Sequence, residues 1–241
     1  MIRTTIIILW TVLATAILGP LAIIVSFISK TGNLPHLIAR IWGKSILSVS
    51  GIKVTVDGLS NLDPGRSAIY MVNHQSNFDI PVLLGCLPVQ FRWLAKAELF
   101  RIPIFGHGMR GCGYISINRS NRRSAIESLN QAAETIKKGT SVLIFPEGTR
   151  SLDGKIKPFK KGGFVLTVDA GVPIIPIVIE GTWSIMPKKR LLIKPCPVIM
   201  KILPPVESSG YNRKTKDALM EIIRMKMCDN FNKLKGEQAC S

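Results

Sequence analysis

The pattern of hydrophobic and polar positions changes character along the chain. Between Arg3 and Lys30 lie 26 consecutive uncharged residues, rich in Ile, Leu, Val, Ala and Thr; as a helix they would reach about 39 Å, enough to cross a bilayer. Pro20 lies inside the stretch and predicts either a kinked span or two short segments embedded in one leaflet. A secretory signal peptide shares the basic start and the apolar run. This run is longer than a usual signal core and lacks a clear small-x-small cleavage site, so a retained anchor is expected. From Leu34 to Val49 the apolar residues Leu34, Leu37, Ile38, Ile41, Trp42, Ile46, Leu47 and Val49 recur at helical spacing, with Arg40 and Lys44 between them. Such a helix either lies at an anionic lipid interface, with Trp42 at headgroup level, or packs on the rest of the protein.

Beyond residue 52 short β-branched runs alternate with helical patterns. Lys53 to Val56, Ala68 to Val72, Arg92 to Ala95, Tyr114 to Ile117, Val142 to Phe145 and Ile174 to Ile179 read as strands, several of them almost wholly apolar. Strands buried on both faces and separated by helices predict an α/β sheet covered by helices on its faces. The clearest helix is Arg122 to Lys137, with Ala125, Ile126, Leu129, Ala133 and Ile136 on one face and Gly139 just past its end. A last helix is expected from Lys214 to Phe231, and the proline-rich stretch Pro195 to Pro205 reads as edge strands and loops. The chain divides into anchoring helices over 1–50 and one globular domain over 51–241, with no internal repeat.

Composition narrows the class. With 46% apolar and 20% charged residues the chain can bury a full core, which excludes disordered and collagen-like classes. Five scattered cysteines without a C-x-x-C pair predict reduced thiols rather than a disulfide scaffold. Lys and Arg number 32 against 15 Asp and Glu, a formal +17, yet the mean hydropathy is +0.27. Basic and greasy together points to an anionic membrane surface, and the Lys/Arg clusters lack the aromatic interleaving of a nucleic-acid binder. Lys30, Arg40, Lys44 and Lys53 follow the first apolar stretch while only Arg3 and the amino terminus precede it, which predicts a cytoplasmic globular domain. The three histidines are not at metal-ligand spacing, so no metal is expected; a Walker loop and a Gly-x-Ser-x-Gly elbow are also missing. Covalent chemistry, if any, has no advertised enzyme nucleophile.

His74 and Asp79, in Asn73-His74-Gln75-Ser76-Asn77-Phe78-Asp79, directly follow the strand Ala68 to Val72. On one continuous helix they would point about 140° apart. With His74 at the strand end and Asp79 opening the next helix, a polar turn brings the carboxylate back to one ring nitrogen. The carboxylate then fixes the tautomer and stabilises the imidazolium, leaving the other nitrogen to take a hydroxyl proton. A capping Asp beside a surface His is the competing reading.

Three further segments accompany this one: Gly113 to Arg119, Phe145-Pro146-Glu147-Gly148-Thr149-Arg150-Ser151, and Val172-Pro173-Ile174-Ile175-Pro176-Ile177. In order and spacing the four resemble the 1-acylglycerol-3-phosphate acyltransferase family over about residues 50–200, with a motif core over 68–184; Trp93 to Leu99 resembles a softer family element. The resemblance implies the glycerolipid acyltransferase fold, a single mixed sheet flanked by helices behind an N-terminal helical membrane anchor. It implies that His74, oriented by Asp79, deprotonates the free hydroxyl of lysophosphatidic acid for attack on an acyl thioester, with backbone N–H groups near the His74 turn holding the oxyanion. Arg119, Glu147, Gly148 and Arg150 are implied as the glycerophosphate site, with Lys96 an additional cation and Glu147 orienting an arginine or the acceptor hydroxyls. Pro173, Ile175 and Pro176 are implied at the thioester or acyl surface, although core strand is the plainer reading of them. No cofactor is implied beyond acyl-CoA or acyl carrier protein as co-substrate, and the partners expected are anionic membrane lipids, not nucleic acid. The expected location is the inner or plasma membrane of a bacterial cell. Two alternatives stay open: acylation of another lysolipid or of glycerol 3-phosphate, and a non-catalytic lipid-binding protein at the membrane surface.

Overall fold

In the computed structural model, which describes residues 1–118 and 121–239, two N-terminal helices precede an α/β domain. The helices are α1 (Ile2–Ser26) and α2 (Asn33–Ser50). The domain runs β1 (Val54–Asp57), β2 (Ile69–Val72), α3 (Asp79–Cys86), β3 (Phe91–Lys96), α4 (Phe105–Gly111), β4 (Ile115–Ile117), α5 (Arg122–Lys137), β5 (Ser141–Ile144), α6 (Gly162–Ala170), β6 (Ile174–Glu180), α7 (Thr182–Ile185), β7 (Val198–Ile202) and α8 (Lys216–Ala239). The strands form one seven-stranded sheet in the order β1-β7-β6-β2-β5-β3-β4. All neighbours are parallel except β6 and β7, so the sheet is mixed, as expected.

Strand alternation builds a core on each face. Tyr70, Val72, Phe91, Leu143, Ile175 and Ile177 face α2 and α3, where Ile46, Leu47, Val82 and Leu83 join them. Ile69, Met71, Val142, Ile144, Ile174 and Val178 face the other way, against Ala132 and Ile136 of α5, Phe164 of α6, and Leu219, Ile223 and Met227 of α8. The proline-rich stretch differs from the expectation of edge strands. Val198–Ile202 lies inside the sheet, parallel to β1 and antiparallel to β6, because its prolines flank the strand and leave every N–H within it able to pair.

The helix α1 continues through Pro20 without dividing. It is the one helix among the described residues long and apolar enough to cross a membrane, with a mean hydropathy of 2.4 over its best window. It is also fastened along its length. Arg3 Nη2 donates to Ser50 O at 3.0 Å, Ile193 N donates to Thr4 Oγ1 at 3.1 Å, and Trp10 Nε1 donates to Ser45 Oγ at 3.2 Å. Trp42 Nε1 donates to Thr15 Oγ1 at 2.9 Å, since α2 packs between α1 and α3. Gly19 permits the approach of α1 to the α4 region, since a Cβ there would come within 2.6 Å of Ile104 Cγ2. The α1–α2 turn is tied to the sheet by the buried Arg92 of β3, which donates to Thr31 O at 2.7 Å and Asn33 Oδ1 at 2.5 Å.

Candidate active site

The central strand β2 ends where Asn73 substitutes its side chain for backbone. Asn73 Nδ2 donates to Ile179 O and Asn73 Oδ1 accepts from Ile179 N, both at 2.8 Å, so the amide imitates one more strand pair against β6. The chain then leaves the sheet at its carboxyl end, where open α/β sheets place ligands. His74 stands at this exit, and Asp79 is the first residue of α3. His74 Nδ1 and Asp79 Oδ2 are 2.8 Å apart. A carboxylate can only accept, so the proton of a neutral imidazole is assigned to Nδ1, which leaves Nε2 as the nitrogen with a lone pair. The ring stacks on Phe145 at the end of β5, with centroids 3.9 Å apart and planes 11° apart.

Asp79 is fully buried and held by donors on both oxygens. Oδ2 also accepts from Gln75 N at 2.7 Å and Ser76 N at 2.9 Å, and Oδ1 accepts from Thr182 Oγ1 at 2.5 Å. A charge taken out of water needs this full set of donors. Thr182, the first residue of α7, was not singled out by the sequence; it lies 103 residues from Asp79, and no local pattern connects them. The same turn corrects one expectation. The N–H groups of His74, Gln75, Ser76 and Phe78 already donate to Glu147, Asp79, Asp79 and Ser76 Oγ, so these amides do not form a waiting oxyanion hole.

Glu147 occupies a different place from the one expected. Its Oε1 accepts from His74 N at 2.7 Å and its Oε2 from Lys157 N at 2.9 Å, so its partners are backbone amides and not an arginine. It joins the histidine turn to the segment after β5, and Ser151 N completes that junction on His74 O at 2.8 Å. Burial raises the Glu147 carboxyl to about 7, against the two N–H donors that lower it.

A cavity of about 570 Å³ opens beside His74. Gly148, Thr149, Arg150, Lys96 and Lys188 give it a polar, cationic rim. Its apolar wall comes from Leu18 and Ala22 of α1, Trp42 of α2, Leu84 of α3, Trp93, Met109, Tyr114 and Phe145. Lys96 pairs with Glu98 at 2.9 Å on this rim, while Arg150 has no ion pair among the described residues. The structure therefore brings His74, Asp79, Glu147, Gly148, Arg150 and Lys96 to one place. Arg119 lies outside the described residues. Pro173, Ile175 and Pro176 are corrected to core positions: they are buried in and beside β6 and do not line the cavity, because β6 is covered on both faces.

Residues 53–180, more than half of the chain, match the Acyltransferase family. The chain belongs to the acyltransferase family. Similar proteins include a chloroplastic 1-acyl-sn-glycerol-3-phosphate acyltransferase of Arabidopsis thaliana, 42% identical over 63% of this chain and 42% of that protein. A 1-acyl-sn-glycerol-3-phosphate acyltransferase of Saccharomyces cerevisiae is 32% identical over 92% of this chain and 76% of that protein. The chain spans less than half the length of the plant relatives from Arabidopsis and Brassica napus. Its fold matches the crystal structure of the 1-acyl-sn-glycerophosphate (LPA) acyltransferase PlsC from Thermotoga maritima, with a TM-score of 0.82 and 29% identity over 97% of both chains.

Proposed function

We propose that this acyltransferase moves a fatty acyl group from an acyl thioester to the free sn-2 hydroxyl of 1-acyl-glycerol-3-phosphate, giving phosphatidic acid. The observation that carries this reading is the His74–Asp79 pair set where a cationic rim meets an apolar cavity. An acceptor with a phosphate head and a hydrocarbon tail matches that division of surface, and a cavity of about 570 Å³ falls within the usual range for small-ligand sites. In the reaction, His74 Nε2 takes the proton of the acceptor hydroxyl as its oxygen attacks the thioester carbonyl. The tetrahedral intermediate collapses with cleavage of the carbon–sulfur bond, and the leaving sulfur takes the proton back from Nε2. Asp79, bound to Nδ1–H, stabilises the imidazolium between these transfers. A thiol leaves readily, with a pKa of about 8.5, so the acceptor serves as the only nucleophile. Acyl-CoA and acyl carrier protein both fit as donors.

The way α1 is fastened supports an in-plane anchor rather than a span. A helix bonded to the domain through Thr4 at its start and packed on the α4 region at Gly19 and Ser26 cannot cross a bilayer while the domain stays on one side. Exposed apolar residues such as Leu9, Leu13 and Ile17 of α1, Leu37 and Ile41 of α2, and Ile102 would enter the leaflet and set the cavity beside the lipids. The domain then lies wholly on one side of the bilayer, and we place it on the cytoplasmic side, in line with its free cysteines.

The test is turnover by the purified protein in mixed micelles, using lysophosphatidic acid with acyl-CoA or acyl carrier protein donors and product identification by mass. Phosphatidic acid is expected from the wild type, and His74→Ala should lose it by a factor of about 10² or more while staying folded. Near-normal turnover by His74→Ala would overturn the assignment of the base.

A further inference from the structure

Lys188, in the loop after α7, lines the same cavity as Lys96, which pairs with Glu98. Among the described residues Lys188 has no carboxylate partner, and its side chain folds back onto the Thr149–Arg150 turn. Lys188 Nζ donates to Thr149 Oγ1 at 2.9 Å and lies 3.5 Å from Arg150 O, and the side chain lines the cavity together with His74 and Arg150. Desolvation and the nearby cations Lys157, Arg150 and Lys189 hold the ammonium below the ordinary lysine range. A cation beside other cations is in an unfavourable field, which an arriving anion relieves.

The backbone around Lys188 is fixed against the catalytic turn. Thr182 donates to Asp79, Ser76 Oγ donates to Met186 O at 2.8 Å, and Arg190 N closes a turn on Pro187 O at 3.1 Å. Within that turn Lys189 adopts φ +70°, a left-handed conformation that non-glycine residues rarely take. The segment is thus held in one shape by bonds to the residues flanking His74, and Ser151, next to Arg150, bonds to His74 O.

We propose that Lys188 is an acceptor-binding residue which, with Arg150, grips the phosphate monoester of the lysophospholipid and so selects a monoester head over a diester one. This inference rests on the reading of the chain as a lysophosphatidic acid acyltransferase. Covalent reach favours the acceptor's phosphate over the donor's. In 1-acyl-glycerol-3-phosphate four bonds separate the sn-2 oxygen from phosphorus, about 5 Å when extended. In a phosphopantetheine thioester about a dozen bonds separate the sulfur from the nearest phosphorus, which puts that phosphate roughly 15 Å from the reacting carbonyl. Lys188 bonds to Thr149, two residues before Ser151, whose N–H bonds to His74 O, so it stands at the His74 end of the cavity, on the side of the acceptor's phosphate. A monoester carries close to two charges near neutral pH and offers more free oxygens than a diester, so two cations discriminate where one does not.

The experiment compares wild type, Lys188→Met and Lys188→Arg, each full-length in mixed micelles, with 1-oleoyl lysophosphatidic acid, its phosphomethyl ester, and acyl-CoA and acyl carrier protein donors. Lys188→Met should raise the KM for lysophosphatidic acid by about tenfold to a hundredfold. The KM for either thioester should stay within about twofold, and the preference for monoester over methyl ester should shrink by a similar factor. Lys188→Arg, which keeps charge and donors, should restore most of the affinity, and this recovery separates loss of the cation from loss of the loop. A larger effect on the donor KM than on the acceptor KM overturns the proposal in favour of a donor phosphate. An unchanged acceptor KM in Lys188→Met, with active wild type, overturns the role of Lys188 alone. Wild type that makes no phosphatidic acid with either donor overturns the functional reading and this inference with it.

Discussion

Thr182 offers a direct test of how Asp79, the proposed partner of the catalytic base, is held. Its hydroxyl is the donor to Asp79 Oδ1 at 2.5 Å, and both side chains are fully buried. Thr182→Val keeps the shape of the side chain and removes the hydroxyl, so one oxygen of a buried carboxylate loses its donor with little change in packing. A hydrogen bond to a charged group contributes about 1.5–3 kcal/mol, and the loss leaves a buried acceptor without a partner that water cannot replace. Stability is therefore expected to fall by about 2 kcal/mol. Part of that loss should appear at the transition state. Asp79 fixes the His74 ring through Oδ2, and a carboxylate freed at Oδ1 can rotate away from Nδ1. If most of the 2 kcal/mol is lost there, kcat falls by about tenfold to thirtyfold while both KM values change little. Urea unfolding measures the first quantity and steady-state kinetics the second. Thr182→Ser, which restores the hydroxyl, should recover both. A Thr182→Val protein that loses stability but keeps its kcat would refute the claim that this hydroxyl positions the catalytic pair.

Two further outcomes follow from buried groups. The Glu147 carboxyl stands at about 7 in the folded protein, above its ordinary value of 4.5, so the folded state binds this proton more tightly than the unfolded chain. The resulting stabilisation is full below about pH 4.5 and is lost as pH rises through 7, a change of about 3 kcal/mol. Unfolding free energies of wild type and Glu147→Gln, measured from pH 4.5 to 7.5, should diverge by this amount with the wild type declining; parallel curves would show that the two N–H donors cancel the effect of burial. Arg92→Met removes the buried guanidinium that ties Thr31 and Asn33 to β3. It should cost about 2–4 kcal/mol and speed tryptic cleavage at Lys30, and an unchanged cleavage rate would mean that packing alone holds the α1–α2 turn.

The strands β2, β5 and β6 were legible because they are short apolar runs bounded by turn residues, and α5 because its apolar face repeats at helical spacing. The strand β7 was placed wrongly at an edge. Prolines mark strand ends as readily as sheet edges, and only the pairing of Val198–Ile202 with both β1 and β6 distinguishes the two. At the site, the short spacing of His74 and Asp79 made their meeting readable, since a strand exit followed by a helix start leaves few other geometries. Glu147 lies beside His74, but its partners are not the arginine that the sequence suggests. A carboxylate near arginines suggests an ion pair, whereas the fold brings two backbone amides to its oxygens first.

The sequence by itself determined the α/β class, the apolar N-terminal stretch, the family resemblance and the adjacency of His74 to Asp79, because each depends on local periodicity or on residues a few positions apart. Tertiary structure decided the rest. Thr182 reaches Asp79 across 103 residues, and Lys188 reaches Thr149 across 39. The α1 helix, ambiguous between span and surface anchor as a string of apolar residues, is tied down through Arg3 to Ser50 and through Thr4 to Ile193. Contacts of this kind are made between elements whose separation along the chain carries no periodic signal, so they exist only once the sheet order has set which loops meet at its carboxyl end.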